Sequence, residues 1–138
     1  MSTSPSFHLP ATERRPARVL VADDNASMRK AIRLVLDDLP NVEICAVTAN
    51  GTEAVDAALA LQPDLLILDV VMPGLSGVEV AGILKKRLPA AKIILFTMYE
   101  DAVSKNLTKH AGVDIVIEKS RGLRLLTEKI GSVIAEIS

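Results

Sequence analysis

Short apolar runs alternate with amphipathic stripes from Arg18 to the end of the chain. Val19-Leu20-Val21-Ala22, Val42 to Val47, Leu65-Leu66-Ile67-Leu68, Ile93-Ile94-Leu95-Phe96 and Val113 to Ile117 read as strands. Between them, apolar residues fall at helical spacing. Met28, Ile32, Val35, Leu36 and Leu39 form one stripe, and Ala54, Val55, Ala58, Leu59 and Leu61 a second. Val80, Ile83, Leu84 and Leu88 form a third, and Leu126, Ile130, Val133, Ile134 and Ile137 close the chain. Asp101 to His110 is a weaker helix whose seam is only Val103 and Leu107. Asn50-Gly51, Pro63 and Pro89 punctuate the pattern. Strict strand–helix alternation implies βαβ units and a parallel sheet with right-handed crossovers. Strands apolar on both faces require helices on both sides of that sheet. Five such units fit an α/β doubly wound sheet of order 2-1-3-4-5.

At 138 residues, one domain is expected, and 49% hydrophobic content is enough to bury a core. Met1 to Ala17, rich in Ser, Thr and Pro, reads as a flexible tail, leaving 18–138 as the folded domain. The balance of 16 basic against 17 acidic residues argues against direct nucleic-acid binding. Aromatic content of 2% without Trp disfavours base-stacking platforms. The single cysteine, Cys45, excludes an intrachain disulfide. No apolar run reaches the ~18 residues of a membrane span, and no signal peptide is visible, so a cytoplasmic location is expected.

In open α/β sheets, sites form beyond the carboxyl ends of the strands. Asp23 and Asp24 follow the first strand, Asp69 ends the third, Thr97 ends the fourth and Lys119 follows the fifth. The second strand ends in Thr48 and Ala49, with nothing ionisable, and in the inferred order it is the outer edge. Each residue alone has a plainer reading: an Asp as a helix cap, a Thr as a strand former, a Lys as a solvated charge. Together they crowd one rim. Three carboxylates there call for a hard divalent cation such as Mg²⁺, which takes oxygen ligands. A carboxylate can act as a nucleophile toward phosphorus, and Lys119 and Thr97 supply the charge and donor a transferring phosphoryl group needs. The set reads as phosphoryl transfer onto Asp69.

These segments resemble the receiver domain of bacterial two-component response regulators. The resemblance runs from about Arg18 to Ser138, as a stand-alone or truncated receiver. It rests on Val19 to Asn25, on Asp64 to Gly77 with its Asp69-Val70-Val71-Met72-Pro73-Gly74 core, on Leu95-Phe96-Thr97 and on Ile117-Glu118-Lys119. It implies a flavodoxin-like fold with a five-stranded parallel sheet. Asp69 would take a phosphoryl group from the phosphohistidine of a histidine kinase or phosphotransfer protein. Asp24, Asp69 and the Val71 carbonyl would bind Mg²⁺ directly, with Asp23 acting mostly through water. Lys119 would contact the phosphoryl group and Thr97 would report its presence. The chain would then be a signalling domain, promoting only its own phosphorylation and dephosphorylation. It would control a protein partner as a monomer or a phosphorylation-dependent dimer. About 19 residues follow Lys119, so no output domain is expected after it.

Several positions depart from the family pattern. Val116 replaces an aromatic switch residue, and Ser120 replaces the proline that often follows the lysine. Met98 stands where a small residue is common, and Val71 and Tyr99 flank the path of hydrolytic water. A long-lived acyl phosphate is expected from these. Asp101 to His110 is expected to be the movable element, and Lys85-Lys86-Arg87 a solvated helix end. The alternative function is a phosphorylation-independent docking module, a pseudo-receiver, against which the complete site set counts. An Asp-nucleophile phosphohydrolase would want an acid where Val71 stands. A flavin mononucleotide carrier would not place Asp23-Asp24 in its phosphate loop.

Overall fold

The computed structural model describes residues 15–98 and 111–137. Its strands are β1 (Ala17–Ala22), β2 (Val42–Thr48), β3 (Leu65–Leu68), β4 (Lys92–Thr97) and β5 (Ile115–Glu118). Its helices are α1 (Ala26–Asp37), α2 (Gly51–Leu61), α3 (Gly77–Arg87) and α4 (Gly122–Ile137), the last entered through a 3₁₀ turn at Lys119–Arg121. All four strand pairings are parallel, and the sheet order is β2-β1-β3-β4-β5, the flavodoxin-like arrangement expected. The helix expected over Asp101 to His110 lies outside the described residues.

The period-2 alternation of strand side chains sorts the core into two layers. Leu20, Leu66, Leu68, Ile93 and Leu95 face α2 and α3, meeting Ala54, Ala58, Val80 and Leu84. Val19, Val21, Leu65, Ile67, Ile94 and Phe96 face the other way, meeting Ile32 and Leu36 of α1 and Leu126, Ile130 and Val133 of α4. These strands are apolar on successive residues because both faces are covered. β2, on the edge, is half-buried and carries the exposed Glu43.

β1 takes in Ala17, one residue inside the stretch read as tail, because its N–H donates to Asn41 O at 2.8 Å and extends the ladder. At the far end of the sheet from the rim carrying Asp69, two aspartates clip strand starts. Asp64 Oδ2 accepts from Arg18 N, and Asp114 Oδ2 accepts from Ile93 N, each at 2.8 Å. Helix starts are capped by side chains that satisfy orphan N–H groups. Asn25 caps α1 through Met28 N, Asn50 caps α2 through Glu53 N, and Ser76 and Glu79 form a reciprocal capping box on α3. Lys85, Lys86 and Arg87 lie in the last turn of α3, where cations oppose the helix dipole.

Candidate functional site

Register assembles the rim. Ala22 pairs with Leu68, so Asp23 and Asp69 emerge side by side from β1 and β3. The ladder continues past the strand ends: Asp69 N donates to Ala22 O at 2.9 Å, and Asp23 N donates to Thr48 O at 3.1 Å. Thr97 pairs with Glu118, so Lys119 leaves β5 one residue beyond Thr97. β5 lies two strands from β3, roughly 10 Å at ~4.8 Å per strand. Only a long side chain crosses that distance, and Lys119 does so.

Its Nζ lies 2.7 Å from Asp23 Oδ2 and 3.1 Å from Asp69 Oδ2. Asp23, Asp69 and Thr97 are buried, with Thr97 wholly so, whereas Asp24 is exposed. The free oxygens of the two buried aspartates are also engaged. Asp23 Oδ1 accepts from Asn25 N, and Asp69 Oδ1 accepts from Val70 N, each at 2.8 Å. Carboxylate oxygens of Asp23, Asp24 and Asp69 lie within 4.8 Å of one another. A cleft of about 230 Å³ opens over Asp24, Asp69 and Lys119. Val71, Met98 and Met28 supply its apolar edges, and Val71 and Met98 stand 54% and 68% exposed.

Burial pushes the Asp69 carboxyl above its ordinary range; the Asp23 charge adds to this, and Lys119 opposes it. Burial alone would lower the Lys119 ammonium. Its hydrogen bonds and attraction to Asp23 and Asp69 outweigh that, so it is held above the usual lysine value. Lys119 is therefore firmly cationic. Three carboxylates against one ammonium leave two negative charges, all on hard oxygen donors, which suits one divalent cation of the Mg²⁺ class.

The structure thus brings together Asp23, Asp24, Asp69, Val71 and Lys119, with Thr97 buried at the adjoining strand end. Three supporting contacts were not read from the sequence. Arg29 Nη1 donates to Asp23 O at 2.7 Å, and the Thr48 carbonyl holds the Asp23 amide, so β2, which ends in nothing ionisable, contributes through its backbone. Gly77 passes so close to Asp69 that a Cβ would sit 2.1 Å from the Asp69 carbonyl oxygen. Tyr99 lies outside the described residues, as does the expected movable segment.

A model of the response regulator receiver domain matches residues 19–131. The chain belongs to this family. The response regulator domain of Thermotoga maritima CheB is similar in fold, with a TM-score of 0.76 at 27% identity, covering 88% of this chain and 96% of that one. A CheY-like response regulator receiver domain protein from Methanospirillum hungatei gives 0.77 at 26% identity, covering 88% and 95%. Among curated relatives, a protein-glutamate methylesterase/protein-glutamine glutaminase of Thermotoga maritima is 28% identical over 124 residues, 88% of this chain and 36% of that protein. One from Geobacter metallireducens is 41% identical over 90 residues, 65% of this chain and 25% of that protein. The receiver chain therefore spans about a third or less of the length of these relatives. It is a receiver domain of two-component signalling, and among its described residues no helix is long and apolar enough to cross a membrane.

Proposed function

We propose that this receiver accepts a phosphoryl group on Asp69 from a phosphohistidine of a histidine kinase or phosphotransfer protein. One observation carries the reading: Lys119 Nζ bridges the buried Asp23 and Asp69 carboxylates at a cleft that also presents Asp24. An Asp69 carboxylate oxygen forms the new bond to phosphorus as the bond to the imidazole nitrogen breaks, and the imidazole leaves with a proton. The product is an acyl phosphate. In this role Lys119 exchanges its contact with Asp69 for one with the incoming phosphoryl oxygens and balances their charge. Mg²⁺ held by Asp24, Asp69 and the Val71 carbonyl would supply further charge neutralisation. Asp23, whose two oxygens are already taken by Lys119 and the Asn25 amide, would contribute through water. Thr97 would hydrogen-bond the phosphoryl group and transmit its arrival.

The finer assignments follow the same reading. Residues 18–138 act as the receiver, with 1–17 as a tail, in the cytoplasm, and the output is control of a protein partner. No esterase or glutaminase activity is proposed, since the match covers a minor part of those relatives. The Val71 and Met98 side chains crowd the cleft edge and narrow the path of an attacking water, so the acyl phosphate is slow to hydrolyse. Met98→Ala should speed its loss; an unchanged dephosphorylation rate refutes that point.

The main test is the intact mass after incubation with Mg²⁺ and acetyl phosphate or phosphoramidate. One added phosphoryl group is expected, absent with EDTA and in Asp69→Asn. An unmodified mass with both donors, under Mg²⁺ concentrations that bind, overturns the reading in favour of a docking module.

A further inference from the structure

The loop from Asp69 to Gly77 joins β3 to α3 and carries the acceptor. Its ends are pinned by Asp69 N to Ala22 O and by Gly77 N to Val70 O, each at 2.9 Å. Its middle rests on a part of the molecule that supplies no side chain to the cleft, the first turn of α2. Gly51 N donates to Pro73 O at 3.2 Å. The first N–H groups of a helix have no acceptor within it; the Asn50 side chain accepts from Glu53 N, and the Pro73 carbonyl accepts from Gly51 N and so caps α2 from the loop.

The contact is too close for any side chain. A Cβ on the buried Gly51 would stand 2.0 Å from Leu75 O, 2.7 Å from Leu75 C and 2.8 Å from Leu75 Cβ. From the other side, Gly74 holds φ +76°, and a Cβ there would fall 2.9 Å from Thr52 Oγ1. Two glycines, one on each partner, let the loop backbone lie directly on the helix start. Leu75 O and Pro73 O are backbone atoms, so a side chain at Gly51 cannot be accommodated by a rotamer change. The loop or the helix must shift, and the loop segment that shifts begins two residues after Val71.

We infer that Gly51 is a positioning residue for the phosphoacceptor loop, and that cation binding at the aspartates and the order of the first turn of α2 are coupled. The inference rests on the reading of Asp24, Asp69 and Val71 as the cation-binding set. Coupling is reciprocal. If the α2 turn fixes the loop that bears the binding groups, filling the site must in turn hold the Gly51–Pro73 hydrogen bond closed.

The test uses the full chain and Mg²⁺ alone. Amide hydrogen exchange in the wild type should slow severalfold at Gly51 on adding Mg²⁺. It should stay unchanged at Ala17, whose N–H bonds to Asn41 at the far end of the sheet. By calorimetric titration, Gly51→Ala should bind Mg²⁺ about tenfold more weakly or worse, as expected for a displaced constellation. Asn50→Ala removes the α2 cap without placing an atom against Leu75. It loosens the same turn without displacing the loop, so it should lower the melting temperature and weaken Mg²⁺ binding by less than Gly51→Ala does. Unchanged exchange at Gly51 with Mg²⁺ bound overturns the proposal, as does a folded Gly51→Ala with wild-type affinity. If Gly51→Ala does not fold, the wild-type exchange result decides alone. A wild type that binds no Mg²⁺ removes the reading of the site itself, and the proposal with it.

Discussion

Gly77 and Gly82 lie in the same helix, and substituting each by alanine should have opposite effects. At Gly82 nothing lies within 4 Å of an added Cβ. Gly82→Ala then gains helix propensity of up to about 1 kcal/mol. At roughly 3–5 °C per kcal/mol for a domain of this size, that is a visible rise in melting temperature. At Gly77 the added Cβ sits 2.1 Å from Asp69 O, 2.9 Å from Asp69 C and 3.1 Å from Val70 Cα. Carbon–oxygen contacts settle near 3.3 Å or beyond, so the backbone at Asp69 must retreat by about 1 Å. Overpacking of this kind costs about 1–3 kcal/mol. The larger consequence is chemical. Asp69 Oδ2 is held 3.1 Å from Lys119 Nζ, and a misplacement of about 1 Å in a catalytic constellation can cost on the order of 100-fold in rate. Gly77→Ala should therefore melt several degrees lower and take up phosphate from acetyl phosphate on the order of 100-fold more slowly. Gly82→Ala should melt higher and react at the wild-type rate. Mass-resolved phosphorylation time courses and thermal melts measure both. A Gly77→Ala protein that reacts at the wild-type rate would refute the claim that close packing at Gly77 sets the Asp69 geometry.

Three further outcomes follow from the site and its surroundings. Because burial and Asp23 raise the Asp69 carboxyl above its ordinary 3.8, its ionised form opposes folding at neutral pH. Asp69→Asn should then melt above the wild type at pH 7. The gap should narrow as the pH falls through the raised value toward 3.8, where the wild-type carboxyl takes up its proton; a pH-independent gap in thermal melts refutes this. Lys119→Met leaves Asp23 and Asp69 facing each other without the ammonium that lies 2.7 and 3.1 Å from them. Removing one partner of such a buried set costs about 3–5 kcal/mol, to be read by urea denaturation, and a loss below about 1 kcal/mol would show that solvent already screens the pair. Mg²⁺ at 100 times its dissociation constant should stabilise the wild type by about 2.7 kcal/mol, a gain that Asp24→Asn should largely abolish in melts with and without EDTA.

Much of this protein is legible along the chain. Leu65-Leu66-Ile67-Leu68 needs cover on both faces, and the alternation of such runs with helical stripes specifies a doubly wound parallel sheet. The acidic pair, Asp69, Thr97 and Lys119 fall at strand ends, and strand ends are the place where such a sheet builds sites. These are local properties: hydrophobic periodicity and residue type need no partner to be read. Boundaries drifted where a tertiary bond decides them. Ala17 joins β1 because Asn41 accepts its N–H, and β5 starts at Ile115, two residues later than the apolar run at Val113 suggests.

What the tertiary structure alone decided is distance. Register sets Asp23 beside Asp69, and the sheet carries Lys119 across to both; neither follows from positions 23, 69 and 119 in a sequence. The seat of Pro73 on Gly51 and the passage of Gly77 over Asp69 were equally out of reach. A glycine in a sequence marks a turn or a close approach, and only the packed chain shows which backbone approaches it. Charge follows the same rule: the Asp69 carboxyl is raised by burial and by Asp23, and both exist only once the strands have met.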